Sequence, residues 1–288
     1  MEKTLNRDAF ELLCAAAQQI PRKTESPLWQ ELQQEGLLHG ESLTEAGLAA
    51  LEPYRVKRAV ILAAGFGSRL MPATADCPKP MVKVKGKSII ETLLEAITEA
   101  GIPEIYLVRG YRGERFDALL EKYPHIQFLE NPYYNEANNI STAWIARELI
   151  QDAYVCEADL AVIHHKIIRP YEYETNYLGA WEEEVHDWCF WTNQQGYVRL
   201  LSDSYGTDCY RMFGISYWTA EDGKRLADYL DDAFMVQKQW KKYWDEVSMM
   251  DHLSQFSIYV RPCSLEDVLE IDTYEELLEL EKNERIKL

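Results

Sequence analysis

The chain reads as an α/β protein, a mostly parallel sheet with helices on both faces, preceded by a small helical domain. Three observations predict this. From Lys57 onward, short apolar runs alternate with amphipathic segments of helical period, the pattern of a sheet covered on both sides. Residues 1–56 carry helical patterning of their own. The apolar runs end at turn residues such as Gly65-Phe66-Gly67, Arg109-Gly110 and Asn131-Pro132. The expected domains are therefore 1–56 and 57–288.

Taken in order, Asp8 is placed to cap a helix carrying Phe10, Leu12, Leu13 and Ala16, which Pro21 closes. Leu28–Leu38 reads as a second helix, and Ser42-Leu43-Thr44 leads into a third. Val60–Ala64 is a buried strand. Ser88–Gly101 is an amphipathic helix with Ile89, Ile90, Leu93, Leu94 and Ile97 on its core side. Ile105–Val108 and Ile126–Leu129 are strands, separated by a helix from Phe116. A helix begins near Asn139 or Ser141, and the strand Ala153–Ala158 delivers Asp159. Further on, Cys189–Thr192, Tyr197–Leu201 and Met212–Trp218 read as strands, and Ala220–Phe234 and Trp240–Phe256 as helices. A strand at Ser257–Arg261, the segment Leu269-Glu270-Ile271-Asp272 and a helix Tyr274–Glu284 close the chain.

Composition narrows the function classes. Hydrophobic content of 47% supports a packed core and excludes a disordered chain. The six cysteines form no CxxC pair, which reads as reduced thiols and suggests neither a zinc site nor a disulfide scaffold. No apolar run reaches the ~18 residues of a membrane span, and the first residues lack the core of a signal peptide. The expectation is a soluble, cytoplasmic protein with no membrane association. A net charge of −18 makes nucleic acid an unlikely partner. One stretch runs against that balance: residues 57–87 hold seven cations and one anion, so a polyanion could sit there.

That stretch contains Val60–Met81, VILAAGFGSRLMPATADCPKPM. An apolar strand breaks at two glycines, which let bare N–H groups approach a ligand, and Arg69 and Lys79 follow. A strand opening into a glycine turn with fixed cations is a device for holding phosphate. The spacing excludes a Walker loop, and Leu70 stands where a dinucleotide fingerprint needs its third glycine.

The pattern Gly65-x-Gly67-Ser68-Arg69-Leu70 with Pro78-Lys79 resembles the signature loop of nucleotidyltransferases that join a nucleoside triphosphate to a phosphorylated small molecule, with Ser68 where Thr is more usual. That resemblance implies a Rossmann-like nucleotidyltransferase sheet. It also implies that Ala63, Ala64, Gly65, Gly67 and Ser68 hold the nucleotide and that Asn138, Asn139 and Ser141 lie where the base is read. Arg69 then serves the departing phosphates and Lys79 the α-phosphate and the incoming phosphate. In the resembling family an Asp after the fourth strand binds the metal, a place filled by Asp159, and a late carboxylate, Asp272, completes the pair. Magnesium suits such a site, since it takes one or two carboxylates plus substrate phosphates.

Asn138-Asn139, Gly214–Trp218, Tyr243-Trp244-Asp245 and Glu270-Ile271-Asp272 further resemble the bacterial CTP:phosphocholine cytidylyltransferases over residues 57–288. The implied substrates are CTP and phosphocholine. A quaternary ammonium is held by aromatic faces and nearby carboxylates, which singles out Trp188, Tyr243, Trp244 and Asp245. The alternatives are 2-aminoethylphosphonate, phosphoethanolamine or a sugar 1-phosphate as acceptor. A different class is also open. Residues 36–54, GLLHGESLTEAGLAALEPY, resemble the closing part of winged-helix regulators, which would suit a choline- or nucleotide-responsive DNA-binding protein. Five cations against nine anions in residues 1–56 oppose duplex binding. They favour a winged-helix-like appendage for packing or for self-association into a homo-oligomer.

Overall fold

The structure, a computed structural model, describes residues 4–21 and 26–283. Glu284, the expected end of the last helix, lies outside them. The chain forms two compact units, one of Met1–Val56 with Ile168–Tyr173, the other of Lys57–Ile167 with Glu174–Leu288.

In the first unit, α1 (Arg7–Ala17), α2 (Pro27–Gln34) and α3 (Glu45–Leu51) surround a small hairpin, β1 (Leu38–His39) and β2 (Ser42–Leu43). The caps are local chemistry. Asn6, not Asp8, caps α1, its Oδ1 accepting from Ala9 N at 2.8 Å; Ser26 and Thr44 cap the other two. The second helix stops at Gln34 because Gly36 and Gly40, at φ +74° and +60°, turn the chain into the hairpin. Phe10, Leu13, Trp29, Leu51 and Tyr54 form the core together with Tyr171. That last residue explains why the division of the chain is not a single cut after residue 56.

The second unit contains β3 (Arg58–Ala63), β4 (Lys83–Val84), β5 (Lys87–Ser88), α4 (Ile89–Glu99), β6 (Glu104–Arg109) and β7 (Ile126–Glu130). Next come α5 (Ile140–Ile145), β8 (Ala153–Glu157), β9 (Leu160–Val162), β10 (Asn176–Val185), β11 (Cys189–Thr192), β12 (Val198–Ser202) and β13 (Gly206–Trp218). The chain ends with α6 (Ala220–Asp231), α7 (Trp244–Glu246), β14 (Tyr259–Pro262), β15 (Val268–Glu270) and α8 (Tyr274–Lys282). The main sheet runs β12-β11-β13-β8-β3-β6-β7, with β10 on β13 and β14 on β10. Strands β8, β3, β6 and β7 are parallel, the expected core of the fold, and β13, β11 and β12 continue it antiparallel.

Both faces of the parallel core are covered. In β3, Val60 and Leu62 pack into the cluster that holds Ile140 of α5 and Leu226 of α6, while Ala59 and Ile61, pointing the other way, are fully buried as well. Helix α4 starts at a capping box in which Glu91 accepts from Ser88 N and Oγ, and it buries the predicted stripe Ile89, Ile90, Leu93, Leu94 and Ile97. The long helix expected over 240–256 is instead a single α-turn, α7, followed by wider and tighter turns. Among the described residues, no helix is long and apolar enough to cross a membrane.

The order of strands sets the position of any site. From β3 the chain builds outward through β6 and β7, then returns to the other side of β3 as β8. This reversal leaves a crevice beyond the carboxyl ends of β3 and β8, where open α/β sheets take their ligands.

Glycine at 223 in α6 is dictated by packing, because a Cβ there would lie 2.1 Å from the Ile150 carbonyl oxygen. Gly223→Ala should therefore destabilise by ~1–3 kcal/mol despite its better helix propensity, lowering the thermal midpoint by several degrees. A midpoint equal to or above that of the wild type would contradict this contact.

Candidate active site

The crevice is a cleft of about 870 Å³ that runs from the glycine loop to Trp188 and Tyr243. Strand β3 ends at Ala63 and hands its backbone to Ala64-Gly65-Phe66-Gly67. Gly67 is left-handed, at φ +60°, and a Cβ on it would come 2.5 Å from Lys79 Cβ. Glycine is required here by angle and by space together. Thr74 Oγ1 donates to the Gly67 carbonyl at 3.0 Å and closes the loop. Ser68-Arg69-Leu70 then make one tight turn that buries Leu70 and leaves Arg69 largely in solvent.

Pro78 directs Lys79 inward, where only 6% of the residue is exposed. Its Nζ lies 2.8 Å from Asp159 Oδ2, just past β8, and 2.8 Å from Asp272 Oδ1, just past β15. Arg69 reaches the other Asp272 oxygen at 2.9 Å. Four residues predicted from distant parts of the sequence thus form one network. Burial pulls the Lys79 pKa down, but the Asp159 charge and the hydrogen bonds to both carboxylates outweigh it, and the net shift is upward. The ammonium stays charged.

More acid converges here than the sequence suggested. Asp187, Glu270 and Asp272 place one oxygen each within 4.8 Å of one another. Glu157 projects from the end of β8 beneath them, in space that only Gly214 leaves open, since a Cβ at 214 would come 2.5 Å from Glu157 Oε2. Burial, then repulsion from Asp159, Asp245 and Glu270, drives the Glu157 pKa well above the usual carboxylate range. Burial, then Asp159, Asp272 and Asp187, pushes Glu270 to about 8. Burial raises Asp245 to about 7, although Tyr177 donates to it at 2.8 Å. Such a cluster is short of positive charge. Its donors are hard oxygens, with neither His nor Cys in the lining, which suits magnesium or a similar cation better than a transition metal. Asp272 belongs to that cluster, and Asp159 is joined to it through the shared ammonium of Lys79.

The predicted nucleotide-side residues Ala63, Ala64, Gly65, Gly67, Ser68, Asn138, Asn139 and Ser141 all line the cleft. The last three have internal partners. Asn138 Oδ1 accepts from Asn139 N, and Asn138 Nδ2 donates to the Lys241 carbonyl. Asn139 Oδ1 accepts from Trp244 N, and Ser141 Oγ donates to the Asn138 carbonyl. Their polar groups fasten the 131–142 loop to the 240–244 segment. At the other end, Trp188 and Tyr243 form a corner, ring centroids 5.2 Å apart at 70°, with Asp245 on the same lining. Trp244 is not on this wall. It faces the opposite way, 1% exposed, stacked on Tyr177 and edge-on to Trp218, because the turn into α7 alternates the directions of Tyr243 and Trp244.

Sequence reasoning missed Asp187 and Glu157, and it left Glu270, which alternation sets on the same side of the strand as Asp272, without a role. Glu157 and Glu270 each stand two positions before a predicted metal ligand, so strand alternation pointed to them. Asp187 follows β10, a strand whose acidic run Glu182–Glu184, with Glu183 and Glu184 exposed, hid it from apolar patterning.

Residues 58–176 match the Nucleotidyl transferase family. A 2-aminoethylphosphonate cytidylyltransferase of Lancefieldella rimae is 34% identical over 76% of this chain and 89% of its own length. A choline-phosphate cytidylyltransferase of Streptococcus pneumoniae is 30% identical over 79% of this chain and 99% of its own. The solved CTP:phosphocholine cytidylyltransferase from Streptococcus pneumoniae superposes with a TM-score of 0.73 at 28% identity, covering 79% of this chain and 98% of that one. The chain belongs to this bacterial cytidylyltransferase family of nucleotidyltransferases. It is an enzyme that transfers a cytidylyl group to a small phosphate-bearing substrate.

Removing the cation between Asp159 and Asp272 leaves two half-buried carboxylates facing each other. Lys79→Met should lower stability by ~1–3 kcal/mol, less than for a fully buried pair because Asp159 remains about a third exposed. Denaturant unfolding in a chelating buffer measures this, and an unchanged midpoint would show that the carboxylates do not depend on Lys79.

Proposed function

We propose that the enzyme transfers the cytidylyl group of CTP to phosphocholine, forming CDP-choline and pyrophosphate, with Mg2+. The observation that carries the acceptor is the Trp188–Tyr243 corner beside Asp187 and Asp245. A trimethylammonium donates no hydrogen bond and is stabilised by aromatic faces and by negative charge close by. The two rings supply the faces and the carboxylates supply the charge.

The reaction asks for alignment and charge neutralisation more than covalent help. An oxygen of the acceptor phosphate forms the new bond to the α-phosphorus, and the bond from that phosphorus to the bridging oxygen breaks as pyrophosphate leaves. Backbone N–H groups from Ala63 to Gly67 cradle the nucleotide. Lys79 lies deepest and serves the α-phosphate and the incoming phosphate, while the exposed Arg69 serves the β- and γ-phosphates. Asp159 and Asp272 would hold a divalent cation, which would supply neutralising charge that the acidic cleft lacks. Asn138, Asn139 and Ser141 contribute to base reading through the loop shape they fix, since their side chains are already bonded within the protein.

A second acceptor, 2-aminoethylphosphonate, is favoured by one specific observation. The gathered oxygens of Asp187, Glu270 and Asp272 suit a primary ammonium, which donates three hydrogen bonds, and the Lancefieldella rimae relative is named for that substrate. The first unit is assigned to packing or self-association, and a cytoplasmic location accords with this chemistry.

Pyrophosphate release with four nucleoside triphosphates and four acceptors separates these readings. CTP with phosphocholine should give kcat/KM at least tenfold above phosphoethanolamine, 2-aminoethylphosphonate or glucose 1-phosphate. Trp188→Ala should reduce it by ~10–100-fold, mainly through the KM of phosphocholine. A preference for 2-aminoethylphosphonate would overturn the first acceptor in favour of the second.

A further inference from the structure

One side chain of the glycine loop is not explained by phosphate holding. Phe66 stands between Gly65 and Gly67 with 44% of its surface exposed. Gly65 has open space around its Cβ position, and Gly67 is left-handed, so glycine gives this turn more conformations to lose on binding than other residues would. Yet its tip is not loose. The Phe66 ring lies 5.1 Å from the Tyr111 ring and 5.5 Å from the Tyr134 ring, tilted at 46° and 52°, within the range of favourable aromatic pairs.

Both tyrosines are anchored elsewhere. Tyr111 N donates to the Ala64 carbonyl at 3.1 Å, where the loop begins. Its hydroxyl donates to the carbonyls of Ala75 at 3.1 Å and Thr74 at 3.3 Å, on the far arm of the same loop. Tyr134 packs over Gly110, where a Cβ would come 2.6 Å from Tyr134 Cβ and 2.9 Å from the Ala64 oxygen. Tyr111 therefore ties down both arms, and Phe66 completes the frame at the tip.

We propose that the Phe66 side chain has a positioning role, as an aromatic latch that orders the glycine loop before the nucleotide arrives and so strengthens binding of its phosphates without the ring touching them. Pre-ordering acts by reducing the entropy lost on binding. The inference rests on the reading that this loop holds the nucleotide phosphates.

Steady-state kinetics in both directions test it. Phe66→Ala should raise the KM of CTP about tenfold, and that of pyrophosphate in the reverse reaction by a similar factor, since pyrophosphate carries no base for a ring to stack on. The kcat and the acceptor KM should stay within about twofold, and Phe66→Tyr should restore the wild-type values. Unchanged KM values in Phe66→Ala, a rise confined to CTP, or a Phe66→Tyr variant as impaired as Phe66→Ala would each overturn the latch. Gly67→Ala separates this from the reading beneath it. If that variant binds CTP and pyrophosphate normally, the loop does not hold the phosphates and both claims fall. If it loses both ligands while Phe66→Ala behaves as wild type, only the latch falls.

Discussion

The ammonium of Lys79, 2.8 Å from Asp159 and 2.8 Å from Asp272, is the contact on which the rest of the cleft depends. It joins three segments that are remote in sequence: the turn after Pro78, the end of β8 and the end of β15. Gly67 must be glycine so that Lys79 can pass beneath it, and Thr74 holds that turn closed. Burial alone would discharge the lysine, and the two carboxylates alone would repel each other; together they keep a fixed charge inside a low-dielectric cleft. Such a charge, already oriented, is the kind of group that stabilises phosphates in transfer without reorganising at the moment of reaction.

Around that contact the cleft divides by chemistry. Toward the loop it offers backbone N–H groups and the exposed charge of Arg69. Toward Trp188 and Tyr243 it offers aromatic faces among carboxylates, several of which burial drives toward their neutral forms. An anion is favoured at one end and a cation at the other. A phosphorylated amino alcohol carries both, which is the reason for proposing this acceptor class over a sugar phosphate, whose sugar bears no charge to meet the far end.

Much of this was legible in the sequence, for reasons that differ by residue. The glycine loop announced itself because backbone chemistry constrains residue type: few side chains tolerate φ +60° beside a buried lysine. The parallel strands and α4 followed from apolar period. Trp244 was misplaced because a one-residue step at the start of α7 decides which of two adjacent aromatics faces the cleft, and period alone does not set that phase. Asp187 escaped because β10 alternates against an acidic surface rather than a polar-neutral one. In the first unit, Tyr171 was invisible as a core residue, since its partners lie more than a hundred positions earlier in the chain.

The most direct test is single-turnover cytidylyl transfer by Lys79→Met at saturating CTP, acceptor and Mg2+. The account predicts a fall of roughly 10²–10³ in the rate of the chemical step, with CTP affinity reduced by less than about tenfold. A rate within a few-fold of the wild type would contradict it.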